Sequence, residues 1–121
     1  MKKIIVIITS LIVFTLLTFN LPIVDTKEEP EVTFIELGSV RCIPCQKMQP
    51  VMKQVEKNYP NQVHVIFYDV WTEEGKKAAK NFDFNEIPTQ IFLDKEGNEF
   101  ARHVGYFPYE DLEKILKQKI K

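Results

Sequence analysis

The only two cysteines of this chain stand three positions apart, in the segment Arg41-Cys42-Ile43-Pro44-Cys45. They follow a run of strand-forming residues and stand where helical spacing begins. Cysteines at positions i and i+3 of a first helical turn lie on one side of it, close enough to form a disulfide. Backbone N–H groups at a helix start favour a thiolate over a thiol. The pair therefore predicts a strand, a loop and a helix here, and it favours redox chemistry.

A structural disulfide and a metal site are the alternatives for this pair. A bridge between such near neighbours closes a very small loop and stabilises a fold little. A closed zinc site takes four ligands, whereas the two histidines, His64 and His103, each stand alone in a strand-like run. We therefore predict no bound metal and no cofactor. Soft Cu(I) binds thiolates, so a non-enzymatic Cu(I) chaperone remains open as a second class of function.

The spacing of apolar residues predicts alternating strands and helices. Val32–Leu37 is a near-continuous apolar run, typical of a strand buried on both faces. Cys42–Tyr59 has an apolar stripe at helical spacing, and we expect Pro50 to kink this helix. The later elements are a strand over 63–70, a short helix over 73–82, a hairpin of strands 90–93 and 99–104, and an amphipathic helix from 108. This order predicts an α/β fold with a four-stranded mixed sheet flanked by helices, βαβαββα.

The N-terminal segment has a different character. Residues 1–24 contain no acidic residue, and Lys2 and Lys3 precede the apolar run Ile4–Val24. A basic start before an apolar run is typical of an export signal, and this run approaches the ~20 residues that cross a bilayer as a helix. Since no small-residue cleavage pattern follows, we favour an uncleaved signal-anchor over a cleaved signal peptide. Positive flanks stay inside, so we expect the domain outside the cytoplasm, anchored to the membrane or, after cleavage, exported.

Residues 25–31 read as a short acidic linker and residues 32–121 as one domain. Without Lys2 and Lys3, 14 of the 16 basic residues remain against 17 acidic ones, a net charge of about −3. Nucleic-acid-binding proteins are usually strongly basic, so we exclude nucleic acid as a partner. The short linker keeps the domain near the bilayer, and we expect a monomer whose partners also lie at the membrane.

Several motifs together resemble the thioredoxin family over residues 32–121. The helix after the cysteines contains a proline, as the active-site helix of thioredoxins does, and an Ile-Pro-Thr sequence before an apolar strand resembles the cis-proline loop of the family. The motifs are Glu36 six residues before Cys42, the cysteine pair, Pro50 five residues after Cys45, Ile87-Pro88-Thr89, and Gly105 before the last helix. Thioredoxins have a buried Asp at the position of Glu36, and several relatives have Glu.

The resemblance implies a thioredoxin-like fold and a thiol–disulfide oxidoreductase. Its implied catalytic residues are Cys42, which attacks a partner disulfide, Cys45, which resolves the mixed disulfide, and Glu36, which takes the proton of Cys45. The substrate is then a disulfide-containing protein. The substrate-binding residues that we infer are Ile87, Pro88, Arg41, Ile43 and Pro44.

The direction of exchange follows from the residues around the pair. Arg41 stands where thioredoxins have Trp, and Ile43-Pro44 replaces Gly-Pro, while the opening strand and helix of the family are not evident. A proline before the second cysteine resembles the reducing branch, which includes anchored thioredoxins of cytochrome c maturation; strong oxidants more often have His there. We therefore expect a protein-disulfide reductase, supplied by a membrane thiol electron donor because no soluble reductant is assured outside the cytoplasm. A disulfide-forming oxidase is the alternative.

Overall fold

The computed structural model describes residues 28–121, and its elements follow the predicted order. In chain order they are β1 Val32–Gly38, α1 Ile43–Asn58, β2 Val63–Asp69, α2 Glu73–Ala79, β3 Thr89–Asp94, β4 Glu99–Val104 and α3 Tyr109–Leu116. The predicted βαβαββα arrangement is therefore confirmed. The differences lie at the ends of elements: α3 ends at Leu116, before Ile120, and α2 ends three residues before the predicted position at 82. There the N–H of Lys80 bonds to Lys77 O, a tighter turn than the α-helix has.

The four strands form one mixed sheet in the order β2-β1-β3-β4. β1 is parallel to β2 and antiparallel to β3, and β4 pairs antiparallel with β3. The central β1 is almost wholly buried, as its unbroken apolar run predicts. Because side chains alternate between the faces of a strand, Phe34, Glu36 and Gly38 face one side, and Ile35 and Leu37 face the other.

Helices cover both faces of the sheet and define two apolar clusters. The larger cluster lies under α1 and α3, where Phe34 and Phe92 stack with ring centroids 5.1 Å apart. The smaller cluster lies under α2, where Ala79 packs against Ile35 and Leu37. Glu36 and Gly38 thus share the face of the sheet on which α1 packs.

The helix α1 runs through Pro50 as a single helix of 16 residues. Its buried side chains form one stripe of five residues at helical spacing: Cys45, Met48, Val51, Met52 and Val55. Pro50 is exposed. The proline therefore stands on the outer side of α1, where it does not interrupt packing on the sheet.

Among residues 28–121 no helix is long and apolar enough to cross a bilayer. The predicted signal-anchor over 1–24 lies outside the described residues, as does the part of the predicted linker before residue 28. Residues 28–31 lead into β1 without forming a helix or a strand.

Candidate active site

Cys42 and Cys45 form a disulfide across the start of α1, with their Cα atoms 5.1 Å apart. Cys42 is the N-cap residue, and its Sγ accepts a hydrogen bond from the Cys45 N–H at 3.4 Å. The exposed fraction is 9% for Cys42 and 0% for Cys45. The sulfurs thus lie close enough to join, as the spacing predicts, and Cys42 is the more accessible of the two.

Gly38, the last residue of β1, allows α1 to approach the sheet at Cys45. A Cβ atom at position 38 would lie 3.3 Å from both Cβ and Sγ of Cys45, and 3.2 Å from Cε2 of Phe67. Such contacts are tighter than ordinary packing, so a larger residue would push the helix start away from the strand. Glycine here positions the second sulfur against the sheet.

The loop between β1 and α1 is held by Asp69 at the end of β2. The carboxylate of Asp69 accepts hydrogen bonds from the backbone N–H groups of Val40 at 3.3 Å and Trp71 at 3.0 Å. Partial desolvation raises the pKa of Asp69, but these donors, with Ser39 and Arg41, lower it more, and the net shift is downward. One partly buried acid therefore joins the loop before Cys42 to the segment that leads into α2.

Glu36 is fully buried on the same face as Gly38, two residues further from the cysteines. Two residues of strand span about 6–7 Å. Burial raises the pKa of Glu36 from 4.5 to about 8, although the neighbouring Gln90 amide lowers it somewhat. The carboxyl is therefore mostly neutral at pH 7, and its pKa lies close to the ~8.5 of an ordinary thiol. Its participation in the reaction stays a prediction.

The Ile87–Pro88 peptide bond is cis, as the resemblance implies. Thr89, the next residue, pairs with Leu37 of β1, beside Gly38. The carbonyl of Pro88 accepts a hydrogen bond from the N–H of Gly105 at 2.7 Å, and Gly105 has φ +92°, which favours glycine. Ile87 and Pro88 thus lie at the edge of the sheet where the cysteine loop begins.

An exposed rim surrounds the cysteine pair. Ile43 is 70% exposed, and Arg41 and Pro44 are also exposed. The guanidinium of Arg41 lies 5.4 Å from the ring centroid of Trp71, which is itself about half exposed. The predicted substrate-binding residues therefore lie beside Cys42 in sequence or at the same edge of the sheet, but their contacts with a substrate stay predictions.

Sequence reasoning did not identify Trp71, Asp69 or Gly38. Trp71 and Asp69 stand at the carboxyl end of β2, and the cysteine loop follows the carboxyl end of the parallel strand β1. Ligand sites often lie at such strand ends. The placement of Asp69 and Trp71 directly after a predicted strand could therefore have indicated that they belong to the site. Gly38 carried no signal, because its close approach to Cys45 depends on tertiary packing. Within residues 28–121, no group of three or more His, Cys, Asp or Glu side chains is arranged to hold a metal ion.

Comparison with known proteins places this fold and site in one family. The family model for thioredoxin-like domains matches residues 20–120. Thioredoxin H5 of Arabidopsis thaliana is 31% identical over 103 residues, which cover 85% of this chain and 84% of that protein. A thioredoxin of Staphylococcus aureus is 27% identical over 96 residues, covering 79% of this chain and 89% of the relative.

A solved structure agrees with these relatives. The oxidised form of mitochondrial thioredoxin 3 from Saccharomyces cerevisiae has a TM-score of 0.61 and 26% sequence identity, and the match covers 76% of this chain and 82% of that one. Both the sequence and the fold thus match over most of the chain, and the cysteine pair lies at the helix start. On these grounds the chain belongs to the thioredoxin family and is a thiol–disulfide oxidoreductase that acts on disulfide-containing substrates.

Proposed function

We propose that this member of the thioredoxin family is a protein-disulfide reductase that works outside the cytoplasm, tethered to the membrane by its N-terminal segment. The direction of exchange depends on how strongly the reduced form is stabilised, because a stabilised thiolate makes a dithiol pair a stronger oxidant. The surroundings of the Cys42 sulfur therefore carry the proposal.

The observation that supports the reducing direction is the small number of donors around Cys42. Among the described residues its Sγ accepts one hydrogen bond, from the N–H of Cys45. Pro44 has no N–H to add, and Ile43 is apolar. Arg41 lies over the Trp71 ring and interacts with Asp69, so its charge is partly engaged elsewhere. A modestly stabilised thiolate favours a low reduction potential.

The reaction proceeds in two exchanges. The thiolate of Cys42 attacks one sulfur of the partner disulfide, that S–S bond breaks, and the other partner sulfur leaves as a thiolate that takes up a proton. Cys45 then loses its proton to the ionised fraction of Glu36 and attacks the Cys42 sulfur. The mixed disulfide breaks, the partner gains its second thiol, and the Cys42–Cys45 disulfide remains. Because burial raises the pKa of Glu36 to about 8, its carboxylate is a stronger base than an ordinary one and is suited to accept this proton.

Two electrons must then return to the cysteine pair. A thiol carrier in the membrane supplies them by the reverse exchange at Cys42, because no soluble reductant is assured outside the cytoplasm. The apolar run Ile4–Val24 after Lys2 and Lys3 supports this location. A tether keeps the domain within reach of such a carrier.

Equilibration of the pair with a dithiol buffer of known potential tests the direction. We expect a reduction potential nearer to about −270 mV, as in thioredoxin, than to about −120 mV, as in strong oxidants. A value near the oxidant end would favour the disulfide-forming oxidase instead. Tight stoichiometric Cu(I) binding without disulfide reduction would favour the metal chaperone.

Cysteine variants test the assigned roles. Cys42→Ser should abolish reduction of insulin disulfides, because the attacking sulfur is lost. Cys45→Ser should accumulate a mixed disulfide with a protein substrate, because the resolving sulfur is lost. Retained activity in Cys42→Ser would contradict the mechanism.

The location has a separate test. Protease added to intact cells should remove a C-terminal tag and leave a cytoplasmic control protein uncut, and the protein should sediment with membranes. Recovery of the tag in the cytoplasmic fraction would overturn the proposed location without affecting the redox assignment.

A further inference from the structure

Three polar side chains form a row across the α1 face of the sheet. Glu36 on β1 is paired with Gln90 on β3, and Gln90 is paired with His103 on β4. Residues directly opposite on neighbouring strands lie on the same face with Cβ atoms about 5 Å apart. The row therefore connects the buried carboxyl near Cys45 with the edge strand of the sheet.

The outer half of the row is well ordered. His103 Nδ1 lies 2.8 Å from Gln90 Oε1, and the imidazole stacks on Phe107 with centroids 3.9 Å apart and planes at 12°. Gln90 is fully buried, whereas His103 is only partly buried. Stacking fixes the ring plane, so Nδ1 faces the amide. Since Oε1 only accepts hydrogen bonds, Nδ1 carries the proton in this arrangement.

The inner half of the row contains three buried polar atoms without a matched partner. Gln90 Nε2 and both carboxyl oxygens of Glu36 make no hydrogen bond of ordinary geometry to any residue of 28–121. Because Oε1 is engaged by His103, the remaining polar end of the Gln90 amide is a donor available to Glu36. The Gln90 amide nevertheless acts on this carboxyl, since it lowers the pKa of Glu36. A buried donor facing a buried acid favours the ionised acid.

The amide can match either protonation state of the acid. When Glu36 is ionised, Gln90 donates to it and accepts from Nδ1–H of His103. When Glu36 is protonated, its O–H needs an acceptor, which a turned Gln90 amide provides through Oε1. The Nε2 group then donates to Nδ1, and the neutral imidazole carries its proton on Nε2. The position of the His103 proton is thereby coupled to the charge of Glu36.

We propose that Gln90 and His103 are positioning residues for Glu36: His103, by orienting the Gln90 amide, favours the ionised carboxylate that receives the Cys45 proton. This inference rests on the proposed role of Glu36 in resolving the mixed disulfide. It assigns a function to two polar side chains that the cysteine chemistry itself does not use.

Other charged groups on this face do not take the place of His103. Asp69 holds the loop before Cys42, Asp94 accepts from the N–H groups of the β3–β4 turn, and Glu113 accepts from Tyr59 and Tyr109. The other charged side chains of β4, α1 and α3 are exposed: Glu99, Arg102, Lys47, Lys53, Glu56, Lys57, Glu110, Asp111 and Lys114. Arg102 is paired with Ile91, on the opposite face of the sheet from Gln90 and His103. His103 is thus the titratable group that reaches Glu36 through a buried partner.

An NMR titration of the Glu36 carboxyl carbon in the oxidised full-length protein tests the proposal. Gln90→Leu and His103→Phe remove the amide and the Nδ1–H while keeping similar shapes. Losing the stabilisation of a charged group should move the Glu36 midpoint upward by about one pH unit. His103→Asn, which keeps a donor near the position of Nδ1, should titrate like the natural protein. His64→Phe is the matched control, because His64 is exposed and faces the other side of the sheet.

The ring nitrogens of His103 give a second readout. We expect the ¹⁵N shift of Nδ1 to change from the protonated to the unprotonated type as pH falls through the Glu36 midpoint, and this step should vanish in Glu36→Gln. A His103→Phe midpoint equal to that of the natural protein, or a His103 shift unaffected by Glu36, would overturn the proposal. Because no substrate is present, these results do not depend on whether the protein is a reductase or an oxidase.

Discussion

Replacing Glu36 by Gln should stabilise the protein at neutral pH. The pKa of Glu36 is raised from 4.5 to about 8 by burial, so between these values the unfolded chain has lost a proton that the native state retains. Stability then falls as pH rises, by up to about 1.4 kcal/mol per pH unit. Glutamine has nearly the same shape as the protonated acid and cannot ionise, so the variant should lose this dependence.

The size of this effect on the free energy of unfolding follows from the pH interval between the two pKa values of Glu36. From pH 5.5 to 7.5 the natural protein should lose about 2–3 kcal/mol in its free energy of unfolding, and Glu36→Gln should lose little of it. With a urea m-value of about 1–3 kcal/mol per molar, the midpoint of Glu36→Gln should already be higher by about 0.5–1 M at pH 5.5, one unit above the unfolded pKa. By pH 7.5 the difference should widen by about 1–2 M more. The pKa values of Asp69, Glu99 and Glu113 are lowered, so these acids act at more acidic pH.

Urea unfolding of the oxidised protein, followed by circular dichroism at several pH values, measures this effect. The oxidised form is used so that neither cysteine titrates. Glu96→Gln, an exposed change in the β3–β4 turn, is the control and should keep the natural pH dependence. Equal slopes for the natural protein and Glu36→Gln would refute the reasoning, because the carboxyl would then ionise in its buried site without cost.

Three further changes probe the rest of the site. Gly38→Ala should reduce the free energy of unfolding by about 1–3 kcal/mol, because the added methyl group meets Cys45 and Phe67 at 3.2–3.3 Å. Urea unfolding measures this change. An unchanged value would mean that the start of α1 can shift away from the strand without cost. Asp69→Ala should speed hydrogen exchange at the Val40 and Trp71 amides, which lose their acceptor, and should leave the Phe92 amide unaffected; equal protection would contradict the role of Asp69 in the loop. Arg41→Ala should lower kcat/KM for a protein disulfide by about 2–5-fold, because the exposed Trp71 ring loses the cation–π contact that holds it in the rim. The effect on a small disulfide should be slight; an equal loss on both would place Arg41 in the chemistry instead of the rim.

Local patterns in the sequence predicted most of the fold. The apolar run of β1, the stripe of Met48, Met52 and Val55 on α1, and the turn before Glu99 each reflect interactions over a few residues. Helix ends were predicted less well, since α2 closes in a tighter turn at Lys80 that the spacing of apolar residues does not reveal. The cysteine pair was predictable for the same local reason, because the geometry of one helical turn brings Cys42 and Cys45 together.

Features that depend on strand register were not predictable. The apolar run of β1 indicated that Glu36 is buried, but only the register of β1 with β3 places Gln90 beside it. Gln90 and His103 are 13 positions apart, and only the pairing of β3 with β4 makes them neighbours. The contact of Gly38 with Cys45 likewise requires the helix to be placed on the strand. Each of these three contacts requires one particular strand register or helix placement, and the local sequence pattern is compatible with several.

The position of Cys45, enclosed between the helix start and Gly38, determines which encounters lead to products. A folded partner cannot reach a sulfur that has no surface. In the proposed mechanism every covalent intermediate therefore forms at Cys42, with the second sulfur already adjacent on its inner side, and packing would fix the sequence of bond changes whatever the intrinsic nucleophilicities of the two thiols. A mixed disulfide at Cys42 would also keep the Cys45 thiol available to resolve it, because a second partner cannot react with a sulfur that is fully buried.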